Sequence, residues 1–190
     1  FTRRHDFSPD DWLMAMIASA RGKFSLQPLA QGKSMTAGDI AAGGGAPPST
    51  GWQAMVCELH VEDIVASRAF WCDLIGFEIA YDRPEERFMY LERRLADGRG
   101  AQIMLCQRNG RWETGPMQQP LGQGVMFQLQ VDDLSAIAEV LEQDDWPIHT
   151  PLREVWRRAG DRQDGQLEIF VQDPDGYLLM LNQDLGERPL

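Results

Sequence analysis

The chain has 190 residues, 43% of them hydrophobic, and a formal net charge of −11. That length suits one domain with a substantial core, plus an appendage. No apolar run reaches the roughly 18 residues of a membrane helix, and phosphate backbones require a basic face, so membrane spanning and nucleic-acid binding are both excluded.

Ser8-Pro9-Asp10-Asp11 reads as a helix start, with a Ser cap, Pro in the first turn and acids at the positive end of the helix dipole. Trp12, Leu13, Met16, Ile17 and Ala20 then form one apolar stripe, and Gly22 can end the helix. Residues 1–35 are therefore expected to form an N-terminal extension with one amphipathic helix. Residues 36–53, rich in Gly, Ala and Pro, read as a linker. Arg3 and Arg4 ahead of an apolar stretch sketch a signal peptide, but Asp6, Asp10 and Asp11 interrupt it. Residues 1–50 hold five basic and four acidic side chains, so the negative charge belongs to the region beyond them.

From residue 54 the chain repeats itself. A strand over Met55–Val61, a helix over Ile64–Leu74 ended by Gly76, and strands over Phe77–Asp82, Arg87–Glu92 and Ala101–Gln107 make one βαβββ unit. A Gly/Pro-containing connection follows. The order then recurs as strand Gly124–Val131, helix Leu134–Gln143 and strands Ile148–Arg153, Gln166–Gln172 and Tyr177–Gln183. Glu58-Leu59-His60-Val61-Glu62-Asp63-Ile64 is answered by Gln128-Leu129-Gln130-Val131-Asp132-Asp133-Leu134, and Ile103–Gln107 by Leu179–Gln183. Two such units share a surface, and a small molecule would sit there. The predicted fold is α+β, with modules 54–107 and 122–185 inside a domain spanning 54–190.

Period-two alternation assigns each strand two faces. Cys57, Leu59, Val61, Ile103, Leu105, Phe127, Leu129, Val131, Leu179 and Leu181 make an apolar face suited to packing under the helices. The opposite face would line a cleft with Val56, Glu58, His60, Gln102, Met104, Cys106, Met126, Gln128, Gln130, Leu178, Met180 and Asn182. Trp52, Trp112 and Trp156 are expected in or near loops, where Trp112 and Trp156 in particular could stack on a ligand. Cys57, Cys72 and Cys106 are odd in number and lack metal-site spacing. They read as free thiols in a reducing, cytoplasmic compartment. Gly32-Lys33-Ser34 lacks the upstream Gly of a phosphate loop, and no Gly-x-Ser-x-Gly elbow occurs.

His60-Val61-Glu62-Asp63, Ala69-Phe70-Trp71-Cys72-Asp73-Leu74-Ile75-Gly76-Phe77 and Val171-Gln172-Asp173-Pro174-Asp175-Gly176-Tyr177-Leu178-Leu179 carry a family likeness. Over roughly residues 54–185 the chain resembles the vicinal oxygen chelate superfamily of glyoxalases, bleomycin-resistance proteins and extradiol dioxygenases, most closely the bleomycin-resistance type. The resemblance implies two curved sheets around a cleft and a homodimer. In metal-dependent members it implies one ligand on the first and last strand of each module. Those positions here fall on Val56, Met104, Met126 and Met180. None supplies the oxygen or nitrogen donor that a catalytic divalent ion of this fold needs. No catalytic residue, metal or cofactor is therefore assigned.

The resulting expectation is a metal-independent binding protein that sequesters a drug-like or cationic ligand such as bleomycin. The alternative is a metal-dependent lyase, isomerase or oxygenase built on Glu58 and His60, which lie two and four residues beyond Val56 on the same strand face. A lone strand histidine is also often simply a hydrogen-bonded structural residue.

Overall fold

The computed structural model of the chain describes residues 44–190, so the helix expected after Ser8 lies outside the described residues. Among them, β1 (Cys57–Val61) leads into helix α1 (Ile64–Arg68). The Asp63 carboxylate caps α1 by accepting from the Val65 amide at 2.9 Å. The helix then widens into a π-type turn over Ala69–Leu74, where the Ile75 amide bonds the Phe70 carbonyl five residues back. That extra residue per turn lets Phe70 and Trp71, neighbours in sequence, both face the core. Strands β2 (Glu78–Arg83), β3 (Phe88–Arg94) and β4 (Gly100–Gln107) complete the first module. The second is β5 (Met126–Gln130), α2 (Leu134–Gln143), β6 (Ile148–Ala159), β7 (Arg162–Gln172) and β8 (Leu178–Pro189). Asp133 caps α2 as Asp63 caps α1.

Each module forms a four-stranded sheet of the same order, β1-β4-β3-β2 and β5-β8-β7-β6. The first strand pairs in parallel with the last, and the other pairs are antiparallel. This is the tandem βαβββ architecture. Leu59, Val61, Ile103, Leu105, Leu129, Val131, Leu179 and Leu181 join Trp71, Ile137 and Leu141 in one apolar cluster. Helix periodicity and strand alternation thus meet in a single core spanning both modules.

Two structural findings modify the sequence reading. β6 runs to Ala159 and β7 begins at Arg162, so the expected loop around Trp156 is a long hairpin instead. Residues 44–53 are fastened to the first sheet. The Ser49 and Thr50 amides donate to Glu92 at 2.8 and 3.2 Å, and Gly45 forms a bridge with Tyr81. Burial works to raise the Glu92 carboxyl, and these hydrogen bonds outweigh it and hold it below its usual range.

The turn Asp173-Pro174-Asp175-Gly176 locks the modules together. Asp173 Oδ1 accepts from the Asp175 and Tyr177 amides, and its Oδ2 accepts from Trp71 Nε1 at 3.2 Å. Asp175 accepts from the Glu62 amide, the Ser67 hydroxyl and Gln119 Nε2. Gly176 sits at φ +86, and a Cβ there would lie 2.3 Å from Pro120 Cβ, so only glycine fits.

Burial lifts the Asp173 carboxyl from 3.8 to about 6, against the lowering effect of its hydrogen bonds from Tyr177 and Trp71. The native state therefore keeps this proton where the unfolded chain has lost it. The associated stability is complete below the unfolded value and is lost as pH rises through the folded one. Stability relative to Asp173→Asn should fall by roughly 2–3 kcal/mol as pH rises from about 4 to about 6. Urea midpoints for both proteins across that window check it; parallel curves would show that Asp173 does not titrate there.

Candidate ligand-binding site

The parallel β1–β4 pairing sets Glu58 beside Met104 and His60 beside Cys106 on the face away from the core. β3 adds Phe88 opposite Cys106 and Tyr90 opposite Met104. Tyr81 of β2 stacks on Tyr90 with ring centres 5.1 Å apart, and Trp52 meets Tyr90 edge-on at 5.4 Å. Trp52 is 62% exposed, so its outer face is open to a ligand. A hollow of about 430 Å³ beside it is lined by Trp52, Tyr81, Asp82, Arg83, Glu85 and the segment 44–47. Aromatic faces next to carboxylates form a surface that attracts flat or cationic molecules.

A second hollow, of about 350 Å³, lies where the modules meet. Glu58, His60, Trp112, Met117 and Tyr177 line it. Tyr177 donates its hydroxyl proton to the His60 carbonyl at 3.1 Å, tying the second module to β1. Burial, and then Asp173 and Asp175, raise that phenol to about 12. Burial, and next the Glu58 carboxylate, raise the Cys106 thiol above its ordinary value.

The equivalent face of the second sheet differs in chemistry. Gln128 stands beside Met180 and Gln130 beside Asn182. Gln128 Nε2 donates to Asn182 Oδ1 at 3.3 Å. Met180 and Asn182 are buried, while Met126 is 46% exposed. Across β7, Phe170 faces Met180 and Glu168 faces Asn182. Glu168 has no exposed side-chain surface and is held by Arg153 and Arg157, each 2.8 Å from a different carboxylate oxygen.

The expected residues are therefore spread over several settings. Glu58, His60 and Trp112 share one hollow. Gln102 is committed to the fold: it accepts from the Tyr90 hydroxyl at 2.6 Å and the Gln53 amide, and donates to Thr50 and the Gly51 carbonyl. Trp156 lies within β6, against Gly165 and under the Arg188 guanidinium, rather than in a loop over the site. The aromatic floor (Tyr81, Phe88, Tyr90) and the Glu168 pair with arginine come from the middle strands. Sequence reading confined to the first and last strand of each module passes over them. The signal was present: Phe88, Tyr90 and Glu92 alternate as Glu58 and His60 do.

A protein-family model, Glyoxalase/Bleomycin resistance protein/Dioxygenase superfamily, matches residues 54–181. The chain belongs to this superfamily. A superfamily member from Vibrio splendidus 12B01 is 33% identical over 67% of this chain and 95% of its own, with a TM-score of 0.30. TioX from Micromonospora sp. ML1 is 18% identical over 70% of this chain and 100% of its own, with a TM-score of 0.52, and shares the fold. Lactoylglutathione lyase from Agrobacterium tumefaciens is 20% identical over 72% of this chain and 95% of its own, with a TM-score of 0.44. No curated protein matches the chain. No helix among the described residues is long and apolar enough to cross a membrane.

The positions expected from the resemblance to hold a metal are Val56, Met104, Met126 and Met180. An isopropyl group and three thioethers do not fit a hard or borderline divalent ion.

Proposed function

We propose that the protein is a binding protein of the bleomycin-resistance type. It would sequester a drug-like or cationic aromatic molecule without using the superfamily's metal positions. The observation that carries this reading is exposed Trp52, standing edge-on to half-buried Tyr81 and buried Tyr90, over a floor that buried Phe88 completes beside thioether Met104. Such a surface gains by stacking and by excluding water. The net charge of −11 raises the local concentration of cations by steering. Three free cysteines accord with a reducing, cytoplasmic setting.

We also propose a homodimer. Val125 and Met126 at the β5 edge of the second sheet, and Ile148 and Leu152 at its β6 edge, leave apolar side chains exposed that a second copy of the chain would cover. Sedimentation should then give twice the 21.5 kDa chain mass; a monomer at micromolar concentration would refute it.

Calorimetric titration with bleomycin, with and without added metal, tests the main reading. Stoichiometric binding is expected in both conditions. Trp52→Ala should weaken it roughly tenfold, about the value of one well-placed aromatic contact. Absence of binding, or an affinity indifferent to Trp52, would overturn the assignment.

A further inference from the structure

Three donor groups meet at the floor of the first sheet, two of them, Glu58 and His60, lining the hollow between the modules. Strand register brings them there: Glu58 and His60 alternate on β1, and Cys106 is the parallel partner of His60 on β4. Their ligand atoms all lie within 4.8 Å of one another. His60 Nε2 stands 3.9 Å from Glu58 Oε1. His60 is 6% exposed, and its Nε2 has no hydrogen-bond partner. A buried ring nitrogen without a partner is costly, and native proteins rarely leave one unless something binds it. Cys106 has only long sulfur contacts, at 3.7 Å to the Gln107 carbonyl and 3.8 Å from Asn109 Nδ2.

We propose that Glu58, His60 and Cys106 form a transition-metal site, displaced along β1 and β4 from Val56 and Met104, where the resemblance puts the superfamily's ligands. This inference stands apart from the aromatic-binding reading. One imidazole nitrogen, one thiolate and one carboxylate oxygen suit zinc, cobalt or copper and are a poor set for magnesium or calcium. Ligand atoms bound at about 2.0–2.3 Å in a tetrahedron lie roughly 3.3–3.8 Å apart, so the side chains need to close by about 1 Å. The three hold one face of the ion. The fourth position opens toward Trp112 and Met117, where a water or a donor atom of a small molecule completes the shell. Cys106 binds as thiolate, and its proton passes to solvent as the metal enters.

Titration of the whole protein with Co²⁺ alone, followed by Zn²⁺ displacement, tests the site. One equivalent of cobalt should bind with a thiolate-to-cobalt charge-transfer absorption, and zinc should displace it. Cys106→Ser should abolish that absorption and weaken zinc binding at least about tenfold, whereas Cys57→Ser should leave both unchanged. His60→Gln should weaken zinc binding comparably while near-UV circular dichroism stays native, because Nε2 makes no bond the fold would lose. No metal uptake, a cobalt complex without the thiolate band, or a band that persists in Cys106→Ser would overturn the proposal. Cobalt binding without bleomycin binding would remove the aromatic-binding reading and leave this site standing; the opposite result would do the reverse.

Discussion

Trp71→Ala is expected to destabilise the protein by about 3–5 kcal/mol, a large share of the stability of a domain this size. Trp71 is 1% exposed and meets Phe70 and Phe77 edge-on at 5.4 and 5.5 Å. Truncation removes both contacts and opens a cavity that the surrounding strands cannot close. It also strips Asp173 Oδ2 of its indole donor, leaving a buried oxygen unpaired in the turn that joins the modules. Trp71→Phe separates the two effects. It keeps much of the packing and loses only the indole hydrogen bond and part of the ring, so a smaller loss of about 1–3 kcal/mol is expected. Urea denaturation measures both. Equal losses would place the whole effect in the hydrogen bond, and a negligible loss for alanine would show that Trp71 does not anchor the core.

Removing both arginines from the second sheet is expected to be comparably severe. In Arg153→Met with Arg157→Met, the Glu168 carboxylate keeps its burial and loses both partners. An uncompensated buried charge costs about 3–5 kcal/mol. The arginines themselves are half exposed, so losing them costs little on their own account. Adding Glu168→Met should therefore restore most of the lost stability, because an apolar side chain of similar size packs beside Phe170 and Met180 without a desolvation cost. Thermal melts of the double and triple variants decide this. A triple variant no more stable than the double would mean that the arginines act through packing, not charge.

These two sites show how the copies diverged within one framework. Register makes Cys106 equivalent to Asn182, and Phe88 equivalent to Glu168. The first module therefore presents an aromatic floor with His60 and Cys106 at its edge. The second presents a carboxylate clamped by two arginines.

Much of the architecture was legible in the sequence because its cause is local. The 3.6-residue periodicity of residues 134–143 and the Asp-Pro-Asp-Gly turn each depend on neighbours a few residues away. Alternation along β1, β4, β5 and β8 separated core residues such as Leu59 and Leu181 from outward ones such as His60 and Asn182. The length of the β6–β7 hairpin was not legible. Arg157, Arg158 and Gln163 are polar on both faces, so no apolar alternation marks them as strand.

The amino-acid order by itself determined the duplicated βαβββ pattern, the family, and the failure of Val56, Met104, Met126 and Met180 to supply hard-metal donors, because repeats, turns and ligand chemistry are written residue by residue. Only the tertiary structure decided which long-range neighbours each side chain received. It committed Gln102 to Thr50 and Gly51, buried Glu168 between two arginines, and brought Cys106 beside an unpartnered His60. Such pairings depend on strand register and sheet order, and these are set by the packing of the whole core rather than by any short stretch of chain.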